Sequence, residues 1–307
     1  MRVTNNMLVD NVKRHLQNNM GELDELNQKL SSGKQFQKPS EAPIQTARSL
    51  KYSSFINSNE QYEDNLDESR NWLRTTETSL KDAGSVLQRS RELTVQGAND
   101  SLSLEDRENI AKEIDELKQE LTSIGNTKLG DRYIFGGQQT KMDDKVFEID
   151  GEDIVYNGDN NAINREIGPE DEMKVNVTGE EAFTIEDNDG NEVQTMEVLE
   201  DLRTALDPDN PDNFDQKEIE NKLPELDQAL EKVTNKRAEM GAKINRVDMR
   251  QKRFEEDTVN LKELKSTNED VDIAEVITDL KMEESVYRAS LASGARSMQP
   301  SLVDFLQ

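Results

Sequence analysis

The chain of 307 residues is strongly acidic, with a formal net charge of −27, and its 33% hydrophobic and 5% aromatic content favours long, thin helices over a thick globular core. It has no cysteine, which excludes disulfides and thiolate metal sites, and no apolar run approaches the roughly 18 residues of a membrane span, so we expect no membrane partner. Residues 141–212 carry 23 Asp and Glu against 5 Lys and Arg, a block that would repel phosphate, so we also expect no nucleic-acid partner.

The N-terminal segment has apolar residues at steps of three and four, which places them on one face of a helix. The spacing predicts a helix over about residues 5–31, ended by Gly33 as a C-terminal cap. We predict that its apolar face is an assembly interface made of Leu8, Val12, Leu16, Leu23, Leu26 and Leu30.

A long second helix is predicted over residues 44–95, after a loop that contains Pro39 and Pro43. Large and small residues alternate along it as a heptad seam, which is typical of close helix pairing. The large positions are Leu66, Leu73, Leu80 and Leu87, and the small ones are Ser69, Thr76, Ala83 and Ser90.

A third helix is predicted to begin after Ser103, which with Asp106 three residues on resembles a capping box, and to end near Gly130. The spacing of apolar residues then changes from steps of three and four, typical of helices, to the alternation typical of strands. Over about residues 141–185 the sequence predicts a small β-rich insert with a hairpin around Asp150 and Gly151, followed by a short helix at residues 196–206 and a loop, DPDNPDN.

The C-terminal third predicts another long helix, with its regular part beginning at Pro224, and then a second apolar stripe interrupted by Glu284 and Pro300. This stripe is the other predicted half of the assembly interface, made of Ile273, Ile277, Leu280, Tyr287, Leu291, Met298, Leu302 and Phe305. The predicted fold class is mainly α: long antiparallel coiled-coil helices formed by both chain halves, with a small β-rich inserted domain.

The sequence offers little that could carry catalysis. His15 is the only histidine and has no predictable partner, so triads and histidine metal sites are disfavoured. EDNDGNE (residues 186–192) resembles part of a calcium loop, but Ile185 and Met196 then fall where carboxylates are required. We therefore predict no enzyme activity, no catalytic residues, no metal and no cofactor.

Several segments resemble the flagellin superfamily of bacterial flagellar proteins. They are MRVTNNMLVDNV, LNQKLSSGKQFQKPSEAP, LQRSRELTVQGAND, LGDRYIFGGQQT and VDIAEVITDLKMEESVYRASLASGARSMQPSLVDFL. The resemblance covers roughly residues 1–140 and 230–307. The elements MRVTNNM and GDRYIFGG and the single small insert favour the members that join the hook to the filament over filament flagellin.

The resemblance implies a chain exported unfolded, without a cleaved signal peptide, to the extracellular flagellum, where terminal helices that are disordered in the monomer order on assembly. It implies three parts: terminal assembly helices (residues 1–42 and 268–307), a helical bundle (43–140 and 214–267) and an acidic β-rich insert (141–213). The implied partners are identical subunits in a ring, a hook-associated protein on the hook side, flagellin on the filament side and an export chaperone. A short filament flagellin, and a secreted coiled-coil adhesin or enzyme, remain alternatives.

Overall fold

The computed structural model describes residues 2–99, 102–150, 153–206 and 216–297. They fall into two compact units, a terminal unit (Met1–Ser58 and Asp257–Gln307) and a central unit (Asn59–Glu256). The three-part division expected from the sequence stays a prediction. The helices are α1 (Arg2–Ser32), α2 (Pro43–Gly97), α3 (Leu104–Gly125), α4 (Gly179–Phe183), α5 (Thr195–Ala205), α6 (Gln216–Glu269) and α7 (Ile273–Ser297).

The strands of the described residues form four two-stranded antiparallel sheets, all in the central unit. Each is a local hairpin, which short sequence separation favours. Their bounds are β1 (Lys128–Leu129) with β2 (Arg132–Tyr133), β3 (Phe147–Asp150) with β4 (Asp153–Tyr156), β5 (Asn164–Gly168) with β6 (Asp171–Lys174), and β7 (Thr184–Glu186) with β8 (Glu192–Gln194).

Two long antiparallel helices, α2 and α6, form the main helical pair of the central unit. Tyr62 stacks on Phe254 at 5.4 Å between ring centroids, and Arg91 Nε lies 2.5 Å from Asp227 Oδ1. The predicted heptad seam of α2 is buried: each of its four leucines is at most 1% exposed, and its four small residues are buried too. The predicted fold class, with helices from both chain halves and a small β-rich part, is confirmed.

The β-rich part packs on α3 and α5 around aromatic side chains. Phe147 meets Phe183 edge to face at 5.7 Å, and the buried Lys118 of α3 lies 2.5 Å from Glu200 of α5. Burial acts to raise the pKa of the Glu200 carboxyl, but hydrogen bonds from Arg203 and Lys118 outweigh burial and hold the pKa below its usual value.

The predicted start of α3 is confirmed, because Ser103 Oγ accepts the Asp106 N–H at 3.1 Å and the Asp106 carboxylate accepts in return. The predicted end near Gly130 is wrong. The helix ends at Gly125, where a Cβ atom would lie 2.6 Å from Phe147. Asn126 then exchanges hydrogen bonds with the Phe147 backbone, which draws the chain away from the helix. Gly130, with φ +64°, instead turns the β1–β2 hairpin.

The prediction that the regular part of the long C-terminal helix begins at Pro224 is also wrong. α6 begins at Gln216 and contains Pro224. An internal proline costs about 3 kcal/mol, and a fully buried Ile or Leu returns about 1.5–3 kcal/mol. Ile219 and Leu226, at 0% and 1% exposed, are buried on either side of it, so tertiary packing offsets the penalty.

The terminal unit contains a second antiparallel pair, α1 with α7. At the end of α1, Gly33 takes φ +69° as predicted for a cap, and its carbonyl accepts the Val271 N–H at 3.1 Å. The Gln35 N–H donates to the Glu269 carbonyl at 2.7 Å, and Asn19 Nδ2 donates to Ser290 Oγ at 3.3 Å further along. Chain ends that are far apart in sequence therefore pair directly.

Candidate assembly surface

The helices α1 and α7 approach each other closely, but the side chains between them are only partly buried. Gly294 lies against Val12, and a Cβ atom at residue 294 would come within 2.7 Å of Val12 Cγ1. A glycine there lets the two helix backbones approach, as small residues do in tight helix pairs.

The predicted interface residues fall into three groups. Val12, Leu16, Leu23, Leu26, Leu30 and Tyr287 are half-buried, and Leu280 is buried at 8% exposed. Ile273, Ile277 and Leu291 are 43–49% exposed. The side chain of Leu8, and Met298, Leu302 and Phe305 with Pro300, lie outside the described residues. That these residues form an assembly interface stays a prediction.

The stripe on α7 divides into two faces. Val276, Leu280, Ser290 and Gly294 line the side towards α1, since they are buried or half-buried and two of them meet α1 directly. Ile273, Ile277 and Leu291 lie further round the helix and remain exposed. Sequence reasoning missed Val276, although its spacing of four from Leu280 is a signal that could have found it.

Exposed apolar side chains are concentrated in the terminal unit, which holds most of the large exposed hydrophobic residues of the described chain. Buried large hydrophobic side chains show the opposite distribution: in the terminal unit these are Ile56, Val276 and Leu280, and the others lie in the central unit. The exposed residues that sequence reasoning did not assign to an interface are Met7, Met20, Ile44, Leu50, Phe55, Val259, Leu264, Met282 and Val286.

Such a distribution points to association. Isolated helices are marginal in water, and extended apolar surface on a soluble chain marks a contact site. The terminal unit therefore has little buried core of its own and leaves much of its apolar surface in contact with water.

Polar contacts in the terminal unit connect the end of α1, the start of α2 and the end of α6. Lys34 Nζ lies 2.7 Å from Glu269 Oε1, and Asn268 Nδ2 donates to the Gln45 carbonyl and to Ser49 Oγ, both at 2.8 Å. Burial acts to raise the pKa of the Glu269 carboxyl, but the hydrogen bonds from Lys34 and Ser49 outweigh burial and leave the pKa below 4.5.

The described part of the chain shows little that resembles a reaction centre. It holds no group of three or more His, Cys, Asp or Glu side chains placed to bind a metal, and His15 is exposed. The acidic turn at residues 186–192 is the β7–β8 hairpin turn, where the Asp187 carboxylate accepts the Asn191 N–H at 2.7 Å. No helix among the described residues is long and apolar enough to cross a membrane.

Paired terminal helices with exposed apolar side chains, together with a helical bundle that carries a small β-rich part, are typical of structural proteins that assemble with other subunits. The model of the bacterial flagellin N-terminal helical region matches residues 3–140, and that of the C-terminal helical region matches residues 223–306. The chain belongs to the flagellin family, a family of bacterial flagellar proteins, which confirms the resemblance.

Relatives within the family span nearly the whole chain. A flagellin of Bacillus subtilis (strain 168) is 26% identical, with 97% of each chain covered. Flagellar hook-associated protein 3 of Escherichia coli (strain K12) is 24% identical, covering 94% of this chain and 95% of its own. The crystal structure of Bacillus cereus FlgL superposes with a TM-score of 0.58 at 26% identity, over 70% of this chain and 99% of that one.

Proposed function

We propose that the protein is a structural adaptor that joins the flagellar hook to the filament, assembling as a ring of identical subunits through its terminal helices. The observation that carries the proposal is the likeness to FlgL of Bacillus cereus, which covers 99% of that chain. The hook-associated relative from Escherichia coli, matched over nearly its full length, supports it.

The proposed mechanism of assembly depends on the apolar side chains that the single subunit leaves exposed. In one subunit the α1/α7 seam buries Val276 and Leu280 but leaves Ile273, Ile277 and Leu291 exposed. A neighbouring subunit that covers this outer face of α7 adds about 25 cal/mol for each Å² of apolar surface removed from water. Repeated around a ring, that gain offsets the entropy lost in ordering the helices.

The proposal includes the partners that an adaptor requires. A hook-associated protein contacts the ring on the hook side, flagellin contacts it on the filament side, and an export chaperone holds the chain before assembly. Export without a cleaved signal peptide, ordering of the terminal helices on assembly, and the absence of any enzymatic role belong to the same proposal. The apolar character of the predicted terminal interface supports a structural role.

A filament flagellin is the second candidate, favoured by the 26% identity to the flagellin of Bacillus subtilis. The two candidates differ in where and how the protein assembles. A filament protein polymerises on seeds of itself and is found along the whole filament. An adaptor occupies only the boundary between hook and filament, and it assembles only on a neighbouring flagellar protein.

Labelling of isolated flagella with an antibody against this chain tests the proposal. We expect label confined to the boundary between hook and filament, and a purified protein that does not extend its own seeds. Label along the filament, together with growth on seeds, would establish the flagellin alternative and overturn the adaptor.

A further inference from the structure

The central unit has a groove of about 920 Å³. It lies between residues 68–75 of α2 on one side and the β1–β2 hairpin and strand β5 on the other. Its lining combines apolar, polar and charged side chains. It includes Trp72, Arg74, Thr75, Leu129, Arg132 and Asn164. A groove of this size accommodates an extended peptide of several residues or a small molecule.

The charges that line the groove leave a positive surplus. Glu68 is paired with Arg165 at 2.9 Å, and Asp131 is paired with Lys141 at 2.6 Å. Arg74 and Arg132 are exposed and form no direct ion pair within residues 2–99, 102–150, 153–206 and 216–297, although the Asp131 carboxylate attracts Arg132 at longer range. In a chain whose net charge is −27, two unpaired arginines on one groove stand out as a complement to carboxylates.

Trp72 supplies a second, independent feature. It is the only tryptophan of the chain, it lines the groove, and it is 8% exposed. Its Nε1–H donor has no hydrogen-bond acceptor among the described residues. Because the indole ring forms part of the groove wall, its fluorescence is sensitive to an occupant of the groove.

We propose that the groove binds the acidic segment 207–215, DPDNPDNFD, of a second copy of this chain. The segment has four aspartates and no basic residue, so it complements Arg74 and Arg132. Its two prolines restrict the backbone before binding, which lowers the entropy lost on docking.

Other acidic turns are less available for this role, because their carboxylates are bonded within the chain. Asp171 lies 2.7 Å from an Arg246 nitrogen, and the Asp187 carboxylate accepts N–H groups of its own turn.

The segment of the same chain cannot reach the groove. Leu206, which precedes it, packs within 3.0 Å of the Cβ position of Gly97 at the end of α2. Trp72 lies 25 residues earlier on that helix, about 37 Å away at 1.5 Å per residue. A nine-residue segment anchored at both ends extends at most about 18 Å from its anchors. The occupant must therefore come from another subunit, which makes this a head-to-tail contact that continues around a ring.

This inference rests on the proposed assembly, and a binding experiment in solution separates the two. Because Trp72 is the only tryptophan, its fluorescence reports occupancy of the groove in the full-length protein. Titration with the peptide DPDNPDNFD should give a saturable change in emission. The matched peptide NPNNPNNFN should bind at least tenfold more weakly, and so should the acidic peptide to the double variant R74Q/R132Q. Equal binding of both peptides, or binding unaffected by the double variant, would refute the role of the arginines.

Crosslinking in assembled flagella decides whether the contact is made between subunits. The chain has no cysteine, so two singly substituted proteins, Asn71→Cys in the groove and Asn213→Cys in the segment, can be co-expressed. We expect an oxidised dimer that contains one copy of each. In the control experiment the Asn213→Cys protein is co-expressed with a Ser85→Cys protein instead of the Asn71→Cys protein. Ser85 is exposed and lies about 21 Å further along α2, so this pair should give at least tenfold less mixed dimer. If both proteins reach the hook boundary and no mixed dimer forms, the docking proposal fails while the adaptor function stands.

Discussion

Lys34 and Glu269 form an ion pair of 2.7 Å beside the backbone bridge that joins the end of α1 to the start of α7. Glu269 is 8% exposed, whereas the Lys34 side chain is 46% exposed. A half-exposed partner contributes little Coulomb energy, so the pair acts mainly by giving a buried carboxylate a hydrogen-bond donor.

The lowered pKa of Glu269 makes the stability of the terminal unit pH-dependent. A carboxyl group whose folded pKa lies below its unfolded value of 4.5 stabilises the fold fully above pH 4.5. That contribution is lost as the pH falls through the lowered folded pKa. We expect the melting temperature of the native protein to fall more steeply below pH 4.5 than that of Glu269→Gln, measured by circular dichroism from pH 3 to 7. Parallel curves would contradict the assignment, and Lys34→Met should cost about 1 kcal/mol or less at pH 7.

Gly294 allows the close approach of α1 and α7, so a larger side chain there should separate them. Gly294→Val places its Cβ atom 2.7 Å from Val12 Cγ1 and adds two methyl groups. We expect faster amide hydrogen exchange over α1 and α7 and loss of incorporation into flagella.

Gly21→Ala is the control, because no atom lies within 4 Å of a Cβ atom at that position in the middle of α1. Replacing a mid-helix glycine with alanine should stabilise α1 by about 0.5–1 kcal/mol. If both variants assemble normally, the close approach at Gly294 is not required.

The seven-residue repeat of buried leucines in α2 could be predicted from the sequence, because it depends on local spacing alone. Leucines seven residues apart must share a face, and all four are buried as predicted. The capping box at Ser103 was likewise readable, since its two partners are three residues apart. Local patterns therefore gave the long helices and the fold class.

Other features depend on contacts between distant residues and could not be predicted. α3 ends at Gly125 because Phe147, 22 residues later, packs against it, and α6 tolerates Pro224 because Ile219 and Leu226 are buried around it. The same holds for the assembly surface. Periodicity identified an apolar stripe on α7 but could not tell that Val276 would face α1 while Ile277 stayed exposed.

Leu73 tests the buried seam of the central unit. It is 0% exposed, and Leu73→Ala should destabilise that unit by about 2–5 kcal/mol through lost burial and a residual cavity. Leu50→Ala makes the same change in the same helix at a position that is 66% exposed, and should alter the stability of the monomer by less than about 0.5 kcal/mol. Urea unfolding followed by circular dichroism measures both, and equal effects would show that the seam is not the core.

Removal of residues 270–307 should separate folding from assembly. The buried hydrophobic cluster of the central unit lies between Leu66 and Phe254 and includes no residue from the deleted segment. We expect a soluble helical protein with a cooperative unfolding transition that is absent from purified flagella by immunoblot. Normal incorporation of the truncated chain would show that the terminal helices are not the assembly element.

The exposed face of α7 provides the sharpest test of the assembly mechanism. Ile277 and Leu291 are 43% and 44% exposed, so Ile277→Glu with Leu291→Glu should leave the monomer folded. Because each side chain is already more than half buried in the monomer, each change would replace about 0.7–1.3 kcal/mol of further burial in the ring with a desolvated charge. We expect at least a tenfold loss of incorporation, measured by quantitative immunoblot of isolated flagella.

A double variant of equal charge on another side of α7 isolates the role of this face. Thr278 and Ser293 are exposed on the same helix, about 100° or more from Ile277 and Leu291 at roughly 100° per residue. Thr278→Glu with Ser293→Glu adds the same two carboxylates without replacing a large apolar side chain. Incorporation close to that of the native protein is expected, because both changes leave every large apolar side chain of α7 in place. An equal loss in both double variants would mean that added charge on α7, rather than loss of its apolar face, prevents assembly.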